Sequence, residues 1–216
     1  MGLMRKYLPN ILIKIFRSIK NKIIFYNFKK NLKILNSNNK EIKLVIGSGK
    51  TSYKGWLLSD LPWFDLLDLS KMKSFFPEKN VSRILTEHVF EHLSINEGII
   101  AINNLKQILK KNGVIRLAVP DGFHHNKNYI DQVNPGSIND IGHKELYNYK
   151  LIIKLLDDDF EIKFFEYFNE KKEFIFNNWN NNIDEGFIKR SRYNDHRNDE
   201  NNINYSSLII EAVLKK

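Results

Sequence analysis

The run Glu87-His88-Val89-Phe90-Glu91-His92-Leu93 places two imidazoles and two carboxylates within seven residues. If it is helical, His88, Glu91 and His92 fall at i, i+3 and i+4 and project to one face. Two chemistries suit such a face. An imidazole can accept a proton from a reacting hydroxyl. Two imidazoles and a carboxylate can also bind a divalent metal, with His124, His125 or His143 completing the set. In the plainer arrangement, Glu91 and His92 bond backbone at a sheet edge and His88 faces a ligand. That arrangement is the expectation, so no metal is assigned.

A second group follows the apolar run Val114–Val119, where Pro120-Asp121-Gly122-Phe123-His124-His125 begins. In an open α/β sheet the carboxyl ends of the strands face the ligand crevice. Asp121 and His124 are therefore candidate bases. The alternative is a turn-forming Asp-Gly pair with exposed histidines. His143 is a third candidate base or simply a residue at a helix start. Arg190, Arg192 and Arg197 suit either an anionic acceptor, such as a phosphate or uronate, or ordinary surface ion pairs.

These side chains need elements to hold them. Lys43–Ile46 is a short apolar run entering Gly47-Ser48-Gly49, which reads as a buried strand and a tight turn. Gly47 and Gly49 permit close backbone approach to a ligand. Gly49-Lys50-Thr51 imitates a phosphate-binding loop, but that loop needs a further glycine where Leu44 stands, inside the strand. A nucleoside triphosphatase is thereby disfavoured. Trp56–Asp60 reads as the second strand, and an acid at its carboxyl end can accept both hydroxyls of a ribose.

Val81–Thr86, Val114–Val119, Phe160–Phe168 and Tyr205–Leu214 read as further strands. Glu87–Leu93, Glu97–Leu109 (stopped by Asn112-Gly113) and Lys144–Leu156 read as helices. Strand–helix alternation followed by two strands predicts a doubly wound, mostly parallel α/β sheet ending in an antiparallel hairpin. Residues 169–204 interrupt that hairpin. They are rich in Asn but carry Phe174, Phe176, Trp179, Phe187 and Tyr193, so an ordered insertion walling the substrate pocket is expected rather than a disordered one.

The chain has 216 residues, a net charge of +9 and no cysteine. Disulfides and thiolate metal sites are excluded, and a reducing compartment is compatible. Residues 1–40 hold ten basic side chains and no acid, while the remainder carries 24 basic against 25 acidic. The charge thus belongs to an N-terminal arm (1–40) preceding a near-neutral domain (41–216). Leu8, Ile11, Leu12, Ile15 and Ile19 follow helical spacing, with Lys14, Arg17 and Lys20 opposite. Such a helix packs on the domain, attaches to an anionic membrane surface, or binds RNA. No run is long and apolar enough to cross a bilayer.

Ile46-Gly47-Ser48-Gly49, Gly55-Trp56 to Asp60, Asp65–Leu69, Glu87–Leu93 and Leu109–Asp121 together resemble predicted class I S-adenosylmethionine (SAM)-dependent methyltransferases of the type 11-like group. Many of that group are found in surface-polysaccharide gene clusters. The resemblance spans about residues 42–215 and includes His143-Lys144 through Lys150 and Arg190 through Asn198. It implies a Rossmann-like, seven-stranded, three-layer α/β/α fold with SAM as cofactor. Gly47, Ser48 and Gly49 would lie at the methionine part, Asp60 at the ribose, Asp68 and Leu69 at the adenine, and Glu87 and His88 at the sulfonium side. The sequence departs from the group's pattern in three places. Val45 replaces the usual acid or amide, Lys50 replaces a third glycine, and about eleven residues between Gly49 and Asp60 leave little room for the usual first helix.

The activity implied is O-methylation of a glycan or small polar acceptor in the cytoplasm, with His88, Asp121, His124 and His143 as candidate catalytic groups. The basic arm would allow attachment at the inner face of the membrane. A SAM-binding protein without catalysis is one alternative, and an RNA ribose methyltransferase using the arm is another. The Asn/Asp-Pro-Pro-aromatic signature of base N-methylation is missing after Val81–Thr86, which argues against base N-methylation but not against ribose methylation; nucleic acid is not the expected partner.

Overall fold

The computed structural model describes residues 10–49, 51–137, 142–199 and 202–215, with side chains described from Ser18 onward apart from that of Lys20. Alternating short apolar runs build β1 (Ile42–Ile46), β2 (Leu57–Leu58), β3 (Val81–Glu87), β4 (Leu109–Pro120), β5 (Phe160–Phe168), β6 (Phe174–Phe176) and β7 (Ser207–Leu214). They form one sheet in the order β2-β1-β3-β4-β7-β5-β6. The first four neighbours are parallel, and β7 runs antiparallel between β4 and β5. The expected α/β sheet with a terminal antiparallel hairpin is therefore present. Its seventh strand is β6, three residues at the edge of β5 inside the 169–204 insertion.

The pleat divides the strand residues between two faces. Leu44, Ile46, Ile84, Ile115, Leu117, Ile210 and Ala212 join the larger core, which also contains Phe28 and Leu32 of α1 (Asn10–Ser37), Met72 of α2 (Leu69–Phe75), Ala101 and Leu105 of α3 (Ile95–Lys106), and Ile152 and Leu155 of α5 (Tyr149–Leu156). Val45, Leu85, Ala118 and Ile209, one residue out of phase, point the other way. There they meet Trp56, Phe165, Ile188 and Trp179. The layer on this second face is mainly irregular chain from the insertion. A short helix α4 (Lys127–Val133) packs through Tyr129 and Val133 against Tyr205.

Several boundaries differ from expectation for local reasons. Glu87 still belongs to β3, His88 takes a left-handed φ of 57°, and a single 3-10 turn, Phe90–His92, replaces the expected helix over 87–93. Asn112-Gly113 does not stop α3. That helix starts from the Ser94/Glu97 capping box and ends at Lys106, and Asn112, at φ 59°, lies in an irregularity of β4. The helix expected over 144–156 begins only at Tyr149, where Asn148 caps it. No helix joins β1 to β2 among the described residues, in keeping with the short spacing. On α1, Ile19, Ile23, Tyr26 and Ile34 are exposed. Leu8 lies outside the described residues, as do the side chains of Ile11, Leu12 and Ile15, so the expected amphipathic stripe is described only from Ile19 onward. No helix among the described residues is long and apolar enough to cross a membrane.

Charged side chains pin the insertion to the second face. Arg116 is 2% exposed and reaches Glu211 at 2.7 Å, while its Nη1 donates to the carbonyls of Asn180 and Gly186. Its guanidinium also lies 5.1 Å from the Trp179 ring centroid. Glu166, fully buried, accepts from Trp179 Nε1, the Arg192 amide and Ser206 Oγ. Removing one member of a buried pair strands the other. Arg116→Met should therefore cost ~3 kcal/mol, the lower end of the usual range because Glu211 keeps Arg83. That corresponds to a Tm lower by about 6–12 °C. Thermal melts followed by tryptophan fluorescence test this, and an unchanged Tm would mean the insertion is anchored elsewhere.

Candidate functional site

The carboxyl ends of β1 and β3 open into a cavity of about 700 Å³. Val45 through Gly49, Thr51, Leu85, Glu87 and His88 form one side of it. Lys189, Arg190 and Asn194 through Arg197 of the insertion form the other. The volume lies within the usual range for small-ligand sites.

The glycine turn is shaped by two left-handed residues. Gly47 has φ 65°, and a Cβ there would come within 2.4 Å of Val89 Cγ2. Gly49 has φ 52°, and its added Cβ would meet only the Gly47 carbonyl, at 3.9 Å. Gly47 thus makes room for Val89, and Gly49 is the position left open on its Cβ side. The turn is fastened to the end of β2 by Ser48 N–H donating to the Ser59 carbonyl and Ser59 N–H donating to that of Val45. Asp60 completes the fastening. Its Oδ2 accepts from the Gly49 amide and its Oδ1 from Leu61, both at 2.9 Å. Asp60 thus stands behind the turn rather than in the cavity lining, and it retains lone pairs beyond these two bonds.

Glu87 and His88 line the cavity. Glu87 accepts from the amides of Arg190 and Lys189, at 2.9 and 3.3 Å, so it ties the insertion to β3. His88 is gripped at both ring nitrogens. Nδ1 lies 3.0 Å from Glu91 Oε1, and Nε2 lies 3.0 Å from Ser207 Oγ. Ser207, His88 and Glu91 follow the order of a nucleophile–base–orienter triad. Ser207, however, is 1% exposed and does not line the cavity, so the member of the three that faces it is His88. Glu91 is also 1% exposed. Burial works to raise its pKa, but the neighbouring His88 overrides this and the net displacement is downward.

The other candidate bases are placed elsewhere. Asp121 is fully buried and spends Oδ1 on the Phe123 amide and Oδ2 on that of Phe168. It joins the end of β4 to β5 and does not reach the cavity lining. His124 packs against Tyr129, with ring centroids 4.0 Å apart, and near Phe168. Its Nδ1 accepts from the Asn126 amide, and burial with the adjacent His125 pushes its pKa down to about 3. It is a neutral packing residue. His143 donates from Nδ1 to the Val133 carbonyl and lies beside Glu91 and His92, apart from the cavity lining. Asp68 is the N-cap of α2, accepting from the Lys71 amide and Ser70 Oγ; the Lys71 amide bond lowers its pKa most. Leu69 opens that helix, and neither residue lines the cavity.

Among the arginines, Arg190 and Arg197 line the cavity with Lys189 and His196, whereas Arg192 lies over the Phe174 and Tyr193 rings. Arg197 is held by Asp195 at 2.7 and 2.5 Å and lies 3.3 Å from the Tyr205 ring centroid. Lys189, Asn194, Asp195, His196 and Ser207 went unassigned from sequence. Their signal, polar residues within an insertion that is otherwise aromatic, marks a wall but not which side chains face inward.

No family model matches the chain, and no curated protein matches it. Solved structures with a similar chain path include a SAM-dependent methyltransferase from Archaeoglobus fulgidus, with a TM-score of 0.46, 16% identity, and 87% of this chain and 92% of that one covered. A SAM-dependent methyltransferase from Thermotoga maritima, described as a possible histamine N-methyltransferase, has a TM-score of 0.47 and 10% identity over 94% of this chain and 96% of that one. One from Anabaena variabilis has a TM-score of 0.45 and 11% identity over 80% and 75%.

Burial raises the Asp121 pKa to about 7, against the pull of its two amide donors. An acid whose folded pKa exceeds its unfolded value stabilises fully below about pH 4, and that stabilisation is lost as pH rises through about 7. The urea midpoint should therefore fall between these pH values more steeply in the native protein than in Asp121→Asn. The variant itself should be less stable at low pH by about 1–3 kcal/mol, because its amide turns an N–H toward a backbone N–H. Parallel slopes would refute the buried, protonated acid.

Proposed function

We propose that this protein is a SAM-dependent methyltransferase acting on a hydroxyl of a glycan or small polar acceptor. The observation that carries this is the pairing of a glycine turn, backed by the Asp60 carboxylate, with a buried-carboxylate-oriented histidine on the same cavity. Gly49 would leave the backbone open to a ligand, Glu87 in the cavity wall would face a cationic centre, and ribose hydroxyls would use the lone pairs that Asp60 retains behind the turn. SAM, when bound, supplies an electrophilic methyl group on a sulfonium.

The chain's own groups would then do three things. The turn and the insertion would hold donor and acceptor together, which is most of what such a displacement requires. Glu91, beside Nδ1–H of His88, would leave the lone pair on Nε2, and an acceptor hydroxyl would deliver its proton there once the ring turns from Ser207 toward the cavity. Lys189 and Arg190 would face an anionic group on the acceptor, such as a carboxylate or phosphate.

Transfer of labelled methyl from SAM to a panel of acidic and neutral glycans and small hydroxy acids tests the activity. Tight SAM binding with no turnover and no hydrolytic loss would favour a non-catalytic SAM-binding protein instead. Asp60→Ala should weaken SAM binding by about 1–3 kcal/mol, through a lost charge-assisted pair and a loosened turn; unchanged affinity by calorimetry would remove the ribose assignment. His88→Asn should leave SAM affinity intact while lowering kcat by about 10²–10⁴. An unaltered kcat would show that no base is needed, as for an amine or carboxylate acceptor.

A further inference from the structure

Glu91, His92 and His143 converge behind His88, outside the cavity lining. One potential ligand atom from each lies within 4.8 Å of the others. Both histidines are fixed by backbone carbonyls: Nδ1 of His92 lies 3.1 Å from the Gly142 oxygen, and Nδ1 of His143 lies 2.7 Å from that of Val133. A carbonyl has no proton to give, so each Nδ1 must carry one. In each neutral ring the lone pair is then on Nε2, and that of His143 lies 4.0 Å from Glu91 Oε1. This is how outer hydrogen bonds orient imidazoles for a metal.

Glu91 supplies the second, independent observation. Its carboxylate is almost completely buried, yet Oε1 has only the His88 Nδ1–H, close but poorly aligned, and Oε2 has no donor. His88 Nδ1 stands at ion-pair distance from Oε1 alone. A buried charge so poorly served is costly unless a cation joins it. The backbone is already arranged for closure, because the amides of Lys144 and Glu145 donate to the Glu91 carbonyl at 2.7 and 3.2 Å.

We propose that Glu91, His92 and His143 bind a divalent transition-metal ion of the zinc, cobalt or manganese kind, which clamps the turn after β3 to the chain leading into α5. Two imidazoles and one carboxylate favour such ions over calcium or magnesium, which prefer all-oxygen sites. Ligands ~2.1 Å from a tetrahedral ion are about 3.4 Å apart, so binding draws the three side chains together by roughly 1 Å. Water or another ligand completes the coordination. The sequence-derived set of His88, Glu91 and His92 is thereby altered in one member: His143 takes the place of His88, which is turned toward Ser207 and the cavity. The site does not depend on the methyltransferase assignment, and its occupancy can be read without any activity.

Chelator-treated full-length protein titrated with zinc chloride in a calorimeter, and with cobalt chloride by visible absorption, provides the test. The native protein should bind one equivalent, gain a cobalt absorption band and melt at higher temperature when metal is added. His92→Ala, in a half-exposed position that tolerates the change, should bind about tenfold or more weakly and lose both signals. Glu91→Gln and His143→Ala should behave alike if folded. His125→Ala, on the exposed histidine beside His124, should bind as the native protein does. The proposal is overturned if the native protein takes up no ion at 100 µM, or if His92→Ala binds as tightly as it does.

Discussion

The second face of the sheet is held by charged side chains that satisfy someone else's backbone. A helix laid on a sheet closes its own amide ladder, but an irregular segment must find donors and acceptors elsewhere. Here the sheet provides them. Arg116 takes the carbonyls of Asn180 and Gly186, Glu166 takes the amide of Arg192, and Glu87 takes those of Lys189 and Arg190. Arg83 adds a bond to the Glu185 carbonyl, and Glu211 balances both arginines. Because these groups are desolvated, each must be paired, and the pairing fixes where the insertion crosses the carboxyl ends of β1 and β3. The cavity is the space left under that crossing.

This explains why two residues of adjoining positions serve such different ends. Glu87 is the last residue of β3 and points with Leu85 toward the insertion, so it is used as an anchor. His88 departs from the strand with a positive φ, which turns its ring back over Ser207 at the start of β7 and toward Glu91 in the following turn. Four successive chemistry-bearing residues of one run, Glu87, His88, Glu91 and His92, thus serve three different neighbourhoods. A helix would have put three of them on one face. The left-handed step at His88 costs backbone energy, and it persists because the ring is clamped at both nitrogens.

Much of the sheet was legible because buried strands are short apolar runs bounded by turn residues, as in Val81–Thr86, Val114–Val119 and Phe160–Phe168. The terminal hairpin was legible too, from two strands without an intervening helix. The 87–93 turn was not, because helical spacing of polar residues carries no information about the φ of His88. Asn112-Gly113 misled for a similar reason: the pair suits a helix stop and a strand irregularity equally. Arg116 stood in plain view as a charge inside an apolar strand, but its partners lie 64 to 95 residues away. Asp121 and His124 were correctly placed at a strand end, yet on the side where β5 and α4 close over them. Spacing alone does not reveal which side chains of one strand end are covered by later chain.

The short connection between β1 and β2 has an electrostatic consequence of its own. In doubly wound folds the first turn normally leads into a helix whose free amides and dipole favour phosphate. Here no helix follows among the described residues, and the amide of Gly49 is taken by the Asp60 carboxylate. The turn therefore presents negative rather than positive potential to anything lying on it, which opposes a nucleotide phosphate and favours hydroxyls or a cation. The positive side chains stand across the cavity, on Lys189, Arg190 and Arg197, although Asp195 and Glu87 partly balance the two arginines. On the function proposed above, such a cavity would take a ribose-bearing cation against the glycine turn and an anionic acceptor against the insertion. The same division of charge would then keep either ligand from settling well in the other's place.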